Sequence, residues 1–472
     1  MAEKQIEATE LFIEAMELIT PSATIPLQDK CIVFNLYENM FQDAVTADMM
    51  VNDSVNLPQK APLLGEEYLN LILSNRSTGG EETSVIPGDM YVTSISDRYL
   101  TKDRQQMYMI HFTSEASMVN ANTSVSQSFR GKKISDIVNT ILDDYLFSDN
   151  EFVVEETEGV ENIVIPNWKP FKALNWLAKR AVNKSGVPNF LFFESSGVTY
   201  FKSVDSLMKV EPNDENKLQK FIFSHIFSKD KILDELVQGR THCTSLEVLH
   251  QYNTIRNTNK GYYASKLITH DIVKKEIKEH TYNLMMAFDP FITHTDIYMP
   301  VSPSDTTYQV QDRNSFAPDG IVGKPGEKMQ SFYDSNVMFY PKHDRLYSKS
   351  KSDDYDNKVE EWKLRRNTLI LGLGQIKLCL EFPGLSYLRV GQMIDLVVPS
   401  PEKVIEHKAG KIKNMEELVD KYLSGLYMIV AIKHSVSMVD EQKYEYTMMV
   451  DVVKDALPVP PIYYDGNTKK GG

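Results

Sequence analysis

The sequence predicts a mainly β protein with α+β insertions, built around two similar antiparallel β-barrels. Two stretches, one towards each end of the chain, alternate apolar and polar residues with the period of two that is typical of strands. Several of these strands are apolar on both faces, and a central stretch changes to a helical period. Because 472 residues exceed what one core usually supports, we expect several domains.

Domain boundaries are placed where these patterns change. The predicted segments are 1–20 as an N-terminal arm or helix, 21–120 as the first barrel, 121–215 as an α+β domain, 216–290 and 366–455 as a discontinuous second barrel, 291–365 as a loop-rich insertion, and 456–472 as a C-terminal arm.

The first segment is predicted to be a short docking helix or arm because its apolar residues fall near helical spacing. These residues are Ile6, Leu11, Phe12, Met16 and Ile19.

The first barrel follows, with clear strand alternation. Its candidate core or interface positions are Leu69, Leu71, Tyr108, Ile110 and Phe112. Gly65 is a candidate turn glycine between its strands.

The α+β domain is indicated by two amphipathic helical patterns and short strands. The first helical pattern runs from Ile134 to Tyr145, and the second runs from Phe171 to Val182 with Pro170 in its first turn. A turn at Ser195-Ser196-Gly197 joins two strands.

The second barrel shows the cleanest alternation in the chain. Its candidate core or interface positions are Ile376, Leu378, Leu380, Tyr444, Tyr446 and Met448. Gly391 and Gly425 are its candidate turn glycines, and 400–424 is a charged insertion. The preceding insertion has little periodicity, and the proline-rich C-terminal arm is predicted to be extended or disordered.

The two barrel regions repeat one pattern of strands and glycine turns. Ile95, Asp103 and Gln105 match Ile432, Asp440 and Gln442 at one constant offset, which sets Met107–Phe112 on Tyr444–Met449. An internal duplication explains this match, but any two antiparallel meanders could share such spacing. If the repeat is real, three copies of the chain would present six similar units around an axis.

Composition excludes several classes of function. The formal net charge of −14 argues against a surface that grips nucleic acid. The three cysteines are far apart, which argues against a disulfide scaffold or zinc site. No apolar run is long enough to cross a bilayer, and the acidic N-terminus does not resemble a signal peptide, so we expect cytoplasmic synthesis and no stable membrane insertion.

No catalytic, cofactor-binding or metal-binding residues are predicted, and we expect no cofactor. Gly372-Leu373-Gly374 lacks the third glycine of a dinucleotide loop and is interpreted as a bend in a barrel strand. His270-Asp271 and His343-Asp344 would point to opposite faces of a strand. Three tryptophans could anchor interfaces or fill cores, and core packing is favoured for Trp176, while Trp168 and Trp362 are left open.

Six stretches of the sequence resemble, in order, a known family. Residues 32–71 resemble the first tube-forming domain of the baseplate hub proteins of contractile-tailed bacteriophages. Residues 128–142, 162–181 and 188–208 resemble that family's α+β domain, and residues 382–399 and 424–436 resemble its second tube-forming domain. The two stretches of the second tube-forming domain are also similar to the N-terminal part of VgrG, the type VI secretion spike protein.

The resemblance implies a homotrimer whose two barrels per subunit form a pseudo-hexameric ring. The partners it implies are the tail tube protein at one end, the central spike protein at the other, other baseplate proteins, and DNA that passes transiently through the lumen. The implied location is the virion tail baseplate, assembled in the host bacterial cytoplasm. The insertions at 291–355 and 400–424 depart from the family pattern and leave the outer contacts open.

Two other classes of function remain as alternatives. A tail-associated cell-wall-degrading enzyme would need a lytic domain, which no segment supplies. A receptor-binding adhesin would show β repeats near its C-terminus, and none is visible.

Overall fold

A computed structural model shows a mainly β architecture with α+β insertions, as the sequence predicts. The structure describes residues 10–60, 63–76, 82–84, 89–102, 105–146, 151–209, 218–223, 241–251, 253–284, 308–309, 332–342, 356–400, 402–403, 418–440 and 443–457. Most of the predicted insertions 291–365 and 400–424, and residues 458–472 of the arm, lie outside the described residues.

The described residues of the N-terminal part form eight strands and two short helices. They are β1 (Glu10–Ile19), β2 (Thr24–Pro26), β3 (Cys31–Asn39), β4 (Thr46–Asp53), α1 (Leu57–Lys60), β5 (Tyr68–Arg76), β6 (Glu82–Ser84), β7 (Met90–Lys102), β8 (Gln105–Ser114) and α2 (Glu115–Asn122). The helix predicted within residues 1–20 is wrong for the described part, because β1 pairs along β5 and buries Met16 and Leu18. Burial on alternate positions overrides the approximate helical spacing.

The α+β domain has its own apolar core, separate from that of the large sheet. Its elements are β9 (Val125–Lys132), α3 (Ile134–Ile141, continued by a π-helical turn over Leu142–Leu146), β10 (Glu151–Val154), β11 (Glu161–Trp168), α4 (Pro170–Ala178), β12 (Phe190–Ser195), β13 (Val198–Ser203) and α5 (Val204–Met208). Ser196 and Gly197 both have positive φ, as a two-residue hairpin turn requires.

The C-terminal part completes the large sheet and adds a small module. Its elements are β14 (Gln219–Phe223), β15 (Thr241–Cys243), β16 (Ser245–Gln251), α6 (Thr254–Asn259), β17 (Ala264–Asp271), β18 (Glu276–Asn283), β19 (Tyr308–Gln309), a 3₁₀ turn (Tyr333–Ser335), β20 (Val337–Lys342), α7 (Val359–Leu373), β21 (Ile376–Pro383), β22 (Met393–Val397), β23 (Gly425–Asp440), β24 (Lys443–Lys454) and β25 (Ala456–Leu457).

Two closed barrels share the hairpin β23–β24. The first barrel runs β3-β4-β8-β7-β5-β1-β24-β23 and returns to β3. The second runs β14-β22-β23-β24-β21-β16, and β15 continues β16 back to β14. The half of the hairpin near its tip, where β23 pairs with β3, thus lies in the first barrel. The base of the hairpin, where β23 pairs with β22, lies in the second barrel.

Two sequence predictions for the region between the N-terminal and C-terminal β regions need correction. Strands β17, β18 and β20 form a separate three-stranded sheet, so residues 264–283 do not belong to the second barrel and 337–342 are not loop. Gly372 and Leu373 lie in α7, not in a strand. A side chain at Gly372 would crowd the Tyr262 ring, whose Cε2 lies 3.2 Å from the position of the missing Cβ, which gives this helical glycine a packing reason.

The three tryptophans pack inside the chain, where the α+β domain meets this small module. Trp168 and Trp176 are in edge-to-face contact at 5.5 Å, and the Arg180 guanidinium lies 3.9 Å from the Trp176 ring centroid and 5.7 Å from that of Trp362. Arg180 also donates a 2.9 Å hydrogen bond to the Tyr340 hydroxyl. The cation–π contacts therefore join two parts of one subunit.

Candidate functional site: a repeated sheet and its polar face

Two units with the same strand order form the large sheet. The first unit has the order β3-β4-β8-β7-β5, and the second has the order β16-β21-β24-β23-β22. The strands of the two units also follow one another in the same order along the chain. In the β7–β8 hairpin and in the β23–β24 hairpin, a one-residue register shift lies just before the tip, at Thr101 and at Val439 respectively. This shared irregularity makes the units structurally equivalent beyond what a generic meander requires.

Equivalent positions differ by one residue from the repeat read in the sequence. The tips pair Lys102 with Gln105 and Asp440 with Lys443, so Tyr108 corresponds to Tyr446 and Met107 to Glu445. The predicted alignment, which set Met107 on Tyr444, is therefore wrong by one position. A shift of one residue exchanges the two faces of a strand, so the correction decides which side chains are equivalent.

The predicted core or interface positions all lie inside the barrels. Each is at most 3% exposed, and they share one continuous apolar core; the set is Leu69, Leu71, Tyr108, Ile110, Phe112, Ile376, Leu378, Leu380, Tyr444, Tyr446 and Met448. Gly65, Gly391 and Gly425 have positive φ values of 90°, 86° and 122°. At Gly391 a Cβ would also lie 3.2 Å from a Leu207 methyl group.

One eight-strand path, β16-β21-β24-β23-β3-β4-β8-β7, joins the two units into a single curved wall. The joint between units is the antiparallel pair β23–β3, with Lys433 opposite Tyr37 and Ser435 opposite Asn35. Because the strands pair in register, the barrel cores lie on one face of this wall, and the alternate residues form the other face.

The second face of the wall carries a row of polar side chains across the joint. The Ser435 hydroxyl donates to Asn35 Oδ1 at 2.9 Å, and Asn35 Nδ2 donates to Asp48 Oδ1 at 2.7 Å. The Tyr37 hydroxyl donates to the other Asp48 oxygen at 2.8 Å, and burial together with Asp48 raises the pKa of Tyr37 to about 12. The hydrogen bonds hold both units' side chains in one network.

Charge on this polar face is mixed, with an acidic excess. Its carboxylates are Asp48, Glu247, Glu381, Glu445 and Asp451, and its lysines are Lys377, Lys433 and Lys443. Lys377 and Asp451 form an ion pair at 2.6 Å. Such a face favours hydration, and its described side chains do not form the continuous basic stripe that holds a phosphate backbone.

A buried polar cluster lies at the end of the β23–β3 joint where the α+β domain packs. Glu38, 2% exposed, accepts hydrogen bonds from the Ser195 hydroxyl at 2.5 Å and the Ser196 N–H at 3.0 Å. His434 Nδ1 lies 2.7 Å from the Tyr446 hydroxyl. Sequence patterns did not predict the role of Glu38, although a carboxylate at an apolar position of an alternating strand is the signal that could have indicated it.

Burial lowers the pKa of His434; nearby Glu38 raises it, and Arg389 lowers it further. An unfolded chain therefore takes up a proton as the pH falls through about 6.5, while the folded chain resists doing so. This difference removes stability on the acidic side.

We expect His434→Gln to lose part of this pH dependence. Between pH 7.5 and 5, the wild type should lose stability relative to the variant by up to about 1.4 kcal/mol per pH unit below 6.5, measured by urea unfolding. Tyr446→Phe keeps the imidazole and should keep the wild-type slope. Parallel slopes for wild type and His434→Gln would contradict the assignment.

Within the described ranges, no three metal-binding side chains lie together, and no helix has the length and apolar composition needed to span a membrane. The His270 ring lies at a tilt to the Phe339 ring, with their centroids 6.0 Å apart, and Asp271 caps the following turn by accepting hydrogen bonds from the Val273 and Lys274 N–H groups. His343 and Asp344 lie outside the described residues.

Comparison with known proteins gives only distant structural similarity. No family model matches the chain, and no curated protein matches its sequence. The fold resembles a tail protein from Neisseria meningitidis MC58 (9% identity, TM-score 0.49, 93% of this chain and 96% of that chain) and the 43 kDa tail protein of prophage MuSo2 from Shewanella oneidensis (11%, 0.45, 95% and 100%). It also resembles the Francisella PdpA–VgrG complex in a half-lidded form (10%, 0.43, 96% and 60%).

Proposed function

We propose that this chain is a structural subunit of a phage tail: a baseplate hub whose three copies form a ring of six similar units. The observation that carries the proposal is the pair of equivalent five-strand units joined into one wall within a single chain. A trimer of such chains matches a six-fold partner on one side and a three-fold partner on the other.

The two ends of the wall differ in a way that supports this role. The α+β domain occurs once per chain and packs at the end of the wall that carries Glu38 and Val45. Hairpin tips of both units lie at the opposite end, because β7 and β23 run in the same direction across the sheet. In a trimer the hairpin end would present six similar tips to the tail tube protein, and the other end would present a three-fold surface to the central spike protein and other baseplate proteins.

The polar face of the wall would line the lumen of this ring. Its acidic excess and hydrogen-bonded side chains suit transient passage of DNA without adhesion. The location is the virion tail, after assembly in the host cytoplasm, and the role requires no catalysis.

Native mass spectrometry of the full chain, alone and with its spike protein, tests the proposal. A mass of three chains is expected, with the complex retaining three hub subunits. A chain that stays monomeric in both samples would overturn it. An assay for peptidoglycan hydrolysis is expected to be negative, and a positive result would favour an enzyme instead.

A further inference from the structure

Three cationic side chains come together where the α+β domain meets the small module built on β17, β18 and β20. They are Lys179 and Arg180, in the turn that follows α4, and Lys363, in α7. Among the described residues, no carboxylate forms an ion pair with any of the three. Burial lowers the pKa of Lys363, and repulsion from Arg180 and Lys179 lowers it further. In a chain with a net charge of −14, a group of cations left without acidic partners is suited to a counter-charge from another molecule.

The acidic features next to this cluster already have partners of their own. The C-terminal carbonyls of a helix attract cations, but the last turn of α4 is taken by Arg366, whose Nη1 donates to the Ala178 carbonyl at 3.0 Å. The carboxylate that Lys179 acts on is Asp43, which accepts a 2.7 Å hydrogen bond from Asn175 Nδ2. Neither feature supplies an ion pair to the three cations.

Aromatic rings hold the cationic groups in fixed positions. The Arg180 guanidinium carbon lies 3.9 Å from the Trp176 ring centroid, and one N–H donates to the Tyr340 hydroxyl at 2.9 Å. Lys363 Nζ lies 5.8 Å and 5.9 Å from the ring centroids of Tyr340 and Trp362. A guanidinium has five N–H groups in a planar fork that matches the two oxygens of a carboxylate. An oriented fork with a second cation beside it is therefore a preformed acceptor for a carboxylate group.

We propose that Lys179, Arg180 and Lys363 form a docking site for a carboxylate-rich polypeptide segment of a neighbouring tail protein. Naming the partner as a tail protein rests on the proposed function, whereas the anion site itself does not. Glu38 joins the α+β domain to the barrel side of the wall, so the site lies away from the polar face. The partner would contact the ring from outside its lumen.

A polypeptide fits this site better than a nucleic acid does. Binding to a phosphate backbone takes a stripe of many cations, and this cluster is a compact group of three around aromatic rings. Tryptophan, tyrosine and arginine are the residues most enriched where protein partners bind tightly. Trp176 and Tyr340 are both partly exposed beside Arg180, which makes such a contact available to a partner.

Tryptophan fluorescence reports on this site, because all three tryptophans of the chain pack around it. We expect a hexaglutamate peptide to change the fluorescence of the full chain in a saturable way. Raising the salt concentration from about 0.02 M to about 0.3 M should weaken the binding, since the attraction is between partly exposed charges. The absence of a saturable change at low salt would overturn the proposal, and tighter binding of a short DNA duplex would assign the site to nucleic acid instead.

Single substitutions locate the binding. Lys179→Gln and Lys363→Gln should each weaken hexaglutamate binding about 3–10-fold, and Lys179→Glu should weaken it further. The matched control is Lys433→Gln, because Lys433 Nζ also lies 5.8 Å from an aromatic ring centroid, that of Tyr37, but on the polar face of the wall. This variant should bind hexaglutamate as the wild type does, and urea unfolding checks that every variant is folded.

Equal affinities for the wild type and both glutamine variants would show that the peptide binds elsewhere and would overturn the assignment. The titration requires no particular oligomeric state. A negative result with a native trimer therefore leaves the ring proposal standing, whereas a native monomer that binds hexaglutamate through Lys179 and Lys363 overturns only the ring.

Discussion

Replacing Gly384 with alanine should destabilise the protein by about 3 kcal/mol or more, because the new methyl group has no space. Gly384 follows β21, and its N–H donates to the Tyr446 carbonyl at 2.9 Å. A Cβ here would lie 1.7 Å from Cδ1 of the Tyr446 ring, which is itself fully buried against His434. The ring cannot move away without opening the core of the second barrel.

Urea unfolding with a fluorescence or circular dichroism readout measures the effect of this substitution. Gly374→Ala is the matched control, since nothing lies within 4 Å of a Cβ built at Gly374, and its effect should stay within about 1 kcal/mol. Equal effects at the two glycines would mean that Tyr446 does not pack over Gly384 as described.

Replacing Glu38 with alanine should cost about 2–4 kcal/mol of folding free energy and loosen the α+β domain. Its carboxylate is the acceptor for the Ser195 hydroxyl and the Ser196 N–H, and both donors would be left without this partner at a buried site. Val45 N–H makes a similar cross-domain bond to Glu194 at 3.2 Å, so the domain should stay attached but less firmly.

Hydrogen exchange separates this local loosening from global destabilisation. Faster exchange in Glu38→Ala is expected at the β12–β13 hairpin, with the β21–β24 strands affected only through global stability. Glu14→Ala, which removes an exposed carboxylate from β1, should change the free energy of unfolding by less than about 0.5 kcal/mol. Unchanged exchange around Ser196 in Glu38→Ala would contradict the assigned role.

Much of the large sheet could be predicted because its strands are buried on one face and therefore alternate. The inward residues Leu378, Leu380, Tyr446 and Met448 sit in the core for that reason. Strand β1 was missed because its apolar residues also approximate helical spacing, and its partner β5 lies roughly fifty to sixty residues further along the chain. Local periodicity contains no information about such a distant partner.

The register of the repeat and the buried polar groups could not be read from spacing. The hairpins carry register shifts at different additional positions, such as the shift between Ile429 and Ala431, so no constant offset aligns them along their length. Glu38 and His434 acquire their roles from residues of other elements, Ser195 and Tyr446, that only the folded chain brings within hydrogen-bond distance.

The hairpin β23–β24 is part of both barrels, and this sharing has a mechanical consequence. The two barrels cannot separate while the hairpin is intact, because each of its strands continues without a break from one barrel into the other. A pull along the strands would load the hydrogen bonds of the ladder in shear, many at a time. The chain should therefore transmit axial force as one stiff element and yield abruptly, with no intermediate in which a single barrel has unravelled.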